Sequence, residues 1–454
     1  MSNIDRFNNM RAQGQGGVII QEGDGELSQI GYPISIEAAT ALSIGDRISA
    51  VKNNAKTLAS NSIGYSFSAI SEDMTVAMQN PTFTMNTTGL TIFFLDNTKN
   101  YTPVVMDIDN DRVQEMLTTI EKTSITGTAF LNERGDRFII IFNGSYYLIG
   151  TINKKDQTIN YRFIDQPLYT NYSEKDYSSN WEIAGWGTSC ILVGDYFIYM
   201  GNIKGYLDTD SSKTLTRSKT LFYRLSGLNF RYMTCLAYMN YSSKAFYNGN
   251  TLLTINSVGD VSYGGPSLTI TKYYMSGDNV TVSYSDKFHS ISQRYDAIGG
   301  LSGNGKYVTV NDHYFSFGDH NVRCTLYDLD RDTLTLTQKC SVGLGYNRYN
   351  GLLNARSWPA NDGSCFLTRN GIFDENGNKI FNLANTGAVG GYFDPDKWIN
   401  GSTMYSITTP NKAEYLARKI TSSITEADKL YGIATSDLSV GEIGSARALF
   451  NTRN

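Results

Sequence analysis

Residues 299–340 read GGLSGNGKYVTVNDHYFSFGDHNVRCTLYDLDRDTLTLTQKC, and no other stretch restricts the fold as much. After a small-residue lead-in, the turn Gly303-Asn304-Gly305 opens an alternating run at 306–310. Three more short runs follow at 314–317, 322–329 and 334–337, with the acidic turn Asp328-Leu329-Asp330-Arg331-Asp332 before the last. Successive residues of a strand face opposite ways. Period-2 alternation bounded by Gly, Asn and Asp therefore specifies short antiparallel strands with one face buried. One such four-stranded sheet cannot cover its own faces and needs neighbours like itself.

The neighbours are in the chain. Related units occupy about 63–108, 127–164, 183–225, 233–284, 352–383 and 388–419. The closest parallel is in the second, where residues 131–136 correspond to the turn at 302–305 and the runs 137–141 and 146–149 to 306–310 and 314–317. About seven units of ~50 residues lie near the ~40–50-residue period of propeller blades; six or eight blades also fit the spacing. The predicted fold is all-β: a β-propeller over 61–420, interrupted by one helix at 111–122, where Val113, Met116 and Leu117 share a face. The composition suits it, with 31 Tyr, 21 Phe and 42 Gly against 8 Pro. Aromatic residues favour pleated surfaces, and Gly tolerates the positive φ of tight turns.

The two ends depart from this rhythm. Residues 1–17 read as a flexible polar arm, and 18–60 carry short strands around turns at Gly23-Asp24-Gly25 and Gly45-Asp46. ALSIGDRISA (41–50) aligns without gaps on DLSVGEIGSA (437–446). The segments 18–60 and 421–454 are accordingly two halves of one small β-module into which the propeller is inserted, with Leu42, Gly45, Asp46, Leu438, Gly441 and Glu442 at its centre. Chain ends that lie close together make such an insertion easy.

Candidate chemistry is sparse. A net charge of −4 and a pI near 5.6 argue against a nucleic-acid surface. The five cysteines form no CxxC pair, so they read as free thilos of a chain made in a reducing compartment, with neither zinc nor disulfides. No signal peptide or apolar run of ~18–20 residues is visible, which predicts a soluble chain off the membrane. His289, His313 and His320 have no ligand spacing, and no catalytic motif occurs. Acidic turns recur at 107–111, 208–210, 328–332 and 394–396. The two DxDxD runs carry Arg112 and Thr333 where a calcium loop needs Gly, and Thr118 stands where the first needs its terminal acid. The turns therefore read as self-capping hairpins, with calcium binding the alternative. Arg134-Gly135-Asp136 reads as a tight turn in its blade. No cofactor or metal is expected, and no enzymatic activity.

The aromatics admit two readings. Trp181, Trp186, Trp358 and Trp398, with Tyr346 and Tyr349, fall in loop-like or inter-blade contexts. They either seal adjacent blades or present faces for glycan binding.

The tail, LYGIA (430–434) through DLSVGE (437–442), together with ATALSIGDRISAV (39–51), resembles the end modules of bacteriophage virion proteins of fibre, decoration or tail type. The resemblance covers the two ends only, and the large propeller insert departs from it. It implies a virion structural component, made in the host cytoplasm and present in multiple copies per particle. It also implies partners among other virion proteins, through the terminal module and the arm, and host-surface attachment through the propeller. The alternative is a soluble glycan-binding or glycoside-cleaving propeller; a scaffold for peptide partners is a third reading.

Overall fold

The computed structural model describes residues 32–451 apart from 54–55, 97–99, 144–145, 167, 184–188, 238–244, 259–266, 277–278, 285–297, 317–318, 347–356, 384–392, 409–412 and 421–429. The chain divides into two compact units, residues 60–406 and the pair of ends 1–59 and 407–454.

The larger unit is a β-propeller. Successive sheets occupy 69–107, 128–164, 169–237, 245–284, 298–346 and 358–382. Five of these have four strands and the third has six. A seventh sheet joins Trp398–Asn400 and Thr403–Thr408 to Thr57–Ser62, so a strand from the start of the unit completes the sheet at its end. Strands of neighbouring sheets pack on one another: Thr128–Leu131 touches both Ala69–Ile70 and Ser189–Val193, and Ile298–Leu301 touches Trp358–Pro359.

Alternation explains the packing. In Arg137–Asn143, Phe138, Ile140 and Phe142 enter the core shared with the first sheet, while Ile139 and Ile141 enter the core shared with the third. Leu252 and Leu253 split in the same way between the third and fifth sheets. Central strands of the second to fifth sheets are thus buried on both faces, not on one as the alternating pattern suggests, because each of these sheets is sandwiched between two others. Continuous apolar runs are what such strands require.

The first hairpin repeats in detail. Ser71, Asn132, Ser302 and Ala360 each donate a backbone N–H to the carbonyl five residues on, at 2.9, 3.1, 3.0 and 2.9 Å. The fourth residue of each turn has positive φ: Met74, Gly135, Gly305 and Gly363.

Several local expectations are corrected. In the fifth sheet the small-residue lead-in is itself part of a strand, Ile298–Leu301. The runs at 306–310 and 314–317 belong to one strand, Tyr307–Ser316, because Asn311, Asp312 and His313 pair with Cys324, Arg323 and Val322 and the ladder carries the polar residues through. The fourth strand is Leu336–Tyr346. The helix spans Asn110–Thr119 and buries Val113, Met116 and Leu117. The acidic run before it is no hairpin: Asp109 caps the helix, accepting from the N–H groups of Asp111 (3.1 Å) and Arg112 (3.3 Å). Last, Tyr415–Lys419 is not a strand of the seventh sheet but of the terminal barrel, so the propeller ends near residue 406 and not at 420.

Truncating Phe138, which is fully buried, should cost about 3–5 kcal/mol. Val105→Ala, at a position 64% exposed, should leave stability nearly unchanged. Denaturant midpoints of the two variants measure this.

Candidate interaction site on the terminal barrel

The terminal unit is a closed barrel of five strands in the order Tyr32–Ala38, Tyr415–Lys419, Arg47–Lys52, Leu430–Ala434, Ile443–Asn451. Its two ends are built alike. Leu42 and Leu438 exchange backbone hydrogen bonds, 2.9 Å each way. On either side of this bridge, LSIGD and LSVGE form the same turn. Gly45 (φ 89°) and Gly441 (φ 86°) hold a left-handed conformation that a side chain would strain. The Gly45 N–H donates to Ala434 O (2.9 Å) and the Gly441 N–H to Ala38 O (2.7 Å). The Asp46 carboxylate accepts from the Ser43 N–H at 2.8 Å, and the Glu442 carboxylate from the Ser439 N–H at 2.7 Å.

The strands obey the same two-fold relation. Ile36 pairs with Gly444, and Ile48 with Gly432. Each of these two isoleucines therefore faces a glycine of the tail. A Cβ on Gly432 would meet Arg447 O at 2.5 Å, and one on Gly444 would meet the Leu438 side chain at 2.6 Å. Leu42 and Leu438, Ala38 and Ala434, and Ala50 and Ala446 line the core in equivalent pairs.

Tyr415–Lys419 breaks the symmetry. It pairs with both head strands, while the tail strands pair directly with each other. Ala417 is fully buried, and the Lys419 ammonium lies 2.6 Å from the Asp46 carboxylate. The hydrogen bond from Lys419, with that from the Ser43 N–H, holds the Asp46 carboxyl below its ordinary value of 3.8.

The tips of the twin turns carry equivalent, exposed aliphatic residues: Ile44 is 62% exposed and Val440 68%. Ile443, just past the second turn, is 51% exposed. Tight turns usually place Gly, Asn, Asp or Ser at such positions. The bridge between Leu42 and Leu438 is antiparallel, so the two turns leave it in opposite directions, each presenting an apolar tip over a hydrogen-bonded base. Sequence comparison of head and tail aligns Ile44 with Val440; only the structure shows that both point outward.

The aromatic candidates are corrected. Trp181, Trp358 and Trp398 are buried, at 0, 2 and 0% exposure, and each begins a strand. Trp181 lies against Gly205, where a Cβ would come within 2.3 Å of the indole, and packs edge-on to Tyr172. Trp398 stacks on Tyr405. These indoles seal the sheets and offer no face to a sugar. Trp186, Tyr349 and His289 lie outside the described residues, as does the side chain of Tyr346. The carboxylate of Asp330 accepts from the N–H groups of its own turn, Asp332 (2.8 Å) and Thr333 (3.2 Å), and that of Asp394 from Asp396 (3.2 Å). Arg134 is committed to Asp136 and Asp195, both at 3.1 Å.

No protein-family model matches the chain, and no curated protein does. Among solved structures it is similar to the β-propeller domain of Nup133 from Vanderwaltozyma polyspora, with 11% identity over 80% of this chain and 100% of that one, at a TM-score of 0.43. A candidate 6-phosphogluconolactonase from Bacteroides fragilis gives 12% over 80% and 98%, at 0.38. The WD40 domain of SCAP from fission yeast gives 9% over 80% and 98%, at 0.34.

Because folding lowers the Asp46 pKa, its ionised form stabilises the barrel above pH 3.8, and that contribution disappears as pH falls through the lowered value. Asp46→Asn should therefore speed amide exchange at Gly45 and Ala434 at neutral pH. The difference from wild type should close in acid, which hydrogen exchange at several pH values measures.

Proposed function

We propose that the chain is a non-enzymatic structural component of a bacteriophage particle. Its terminal barrel docks on other virion proteins, and the propeller is the body it carries. The observation behind this reading is the barrel surface, where two equivalent turns rigidly present Ile44 and Val440 to solvent. The resemblance of both ends to virion modules adds support. A rigid base lowers the entropy lost on docking, and apolar tips provide the desolvated anchors that dominate interface energy. The same surface serves head or tail attachment equally.

The double variant Ile44→Asp/Val440→Asp should fold normally, since both residues are exposed. It should lower the copies retained per purified particle by roughly tenfold or more, as expected when anchors worth over ~1.4 kcal/mol are lost. Quantitative mass spectrometry of purified particles reads the outcome, with Val105→Asp on the propeller as the control. Undiminished retention of the double variant overturns the docking surface.

A further inference from the structure

A cavity of about 420 Å³ opens between the fourth and fifth sheets of the propeller. Its size falls within the range of small-molecule sites, roughly 300–1,000 Å³. One wall is apolar, formed by Phe246, Leu253 and Tyr307. The rest is mostly polar or charged, with Asn248, Thr251 and six charged residues, of which Lys272 is buried.

Lys272 is only 7% exposed. Its ammonium donates to Arg331 O at 2.8 Å, lies 5.2 Å from the Tyr274 ring centroid and stands 3.6 Å from the Asp332 carboxylate. The Arg331 guanidinium lies over the Phe246 ring at 5.1 Å and donates to Asn304 O at 3.3 Å. That leaves most of its five N–H donors available. Lys306, at the rim, has no ion-pair partner among the described residues. Three carboxylates share the lining with these cations: Asp332 faces Lys272, Asp330 accepts from the N–H groups of its own turn, and Asp328 lies 3.9 Å from Lys339 outside the lining.

This mixture of charge selects the ligand class. A phosphate or carboxylate would meet three carboxylates, and a cation would meet three bases. A neutral polyol meets neither penalty. Each sugar hydroxyl both donates and accepts, so a wall of mixed ammonium, guanidinium and carboxylate groups satisfies it in either sense. The C–H face of the sugar ring would lie on the apolar wall.

We propose that this cavity binds a neutral saccharide. The site is separate from the buried tryptophans and from the barrel surface. It is tested on the isolated full-length protein, so its failure leaves the docking reading untouched.

The experiment screens the protein against an array of neutral and uronic-acid oligosaccharides, followed by isothermal titration with the best neutral binder. Wild type should prefer neutral sugars, and Lys306→Ala and Asp332→Ala should each weaken binding several-fold. Both side chains are exposed, so both variants should fold. Three results each overturn the assignment: no neutral saccharide bound, binding unchanged in both variants, or a preference for uronic acids.

Discussion

Burial on both faces is the constraint on which the propeller depends. A sheet whose central strand carries Phe138, Ile139, Ile140, Ile141 and Phe142 has no face to give to water. It is stable only between two others, and those in turn need partners. The cores follow this logic, each joining residues from two consecutive sheets, the first with the helix residues Val113, Met116 and Leu117 added. The open end of the series is met by Thr57–Ser62, which pairs with Thr403–Thr408 in the seventh sheet.

The terminal barrel solves a different problem with a different device. Its halves are far apart in sequence and short, so neither buries enough apolar surface to persist alone. Reciprocal hydrogen bonds at the twin turns, with isoleucine facing glycine across the strands, let the halves close around a narrow core. Closure also removes the free edges that would pair with other chains. Tyr415–Lys419 supplies the strand that the two head strands lack between them.

Many residues that look chemically suggestive are consumed by architecture. Three tryptophans fill the sheets, and the acidic turns cap their own backbone. Arg134 and Arg137 both reach Asp195 in the following sheet. Two other features are less conspicuous in a sequence: two exposed aliphatic turn tips and a cavity of mixed charge. Neither has a motif. The tips are ordinary Ile and Val, and the cavity lining is drawn from several strands and turns of two sheets.

The repeat, the strand-rich fold and the match of 42–46 with 438–442 were legible in the sequence because each depends on residues close together along the chain. Alternation, turn chemistry and glycine placement are local, and they alone determined that the chain would form short sheets in series with two similar turns at its ends. Side-chain exposure and strand partnership are not local. Trp358 begins a strand packed against the fifth sheet, Trp398 is covered by Phe393 and Tyr405, and Asn311 to His313 stay in a strand because a partner ladder holds them there. Tyr415–Lys419 has the alternation of any other strand, and only the unpaired edges of Tyr32–Ala38 and Arg47–Lys52 assign it to the barrel. Tertiary structure decided these points because the hydrogen bonds and covering surfaces come from residues distant in the chain.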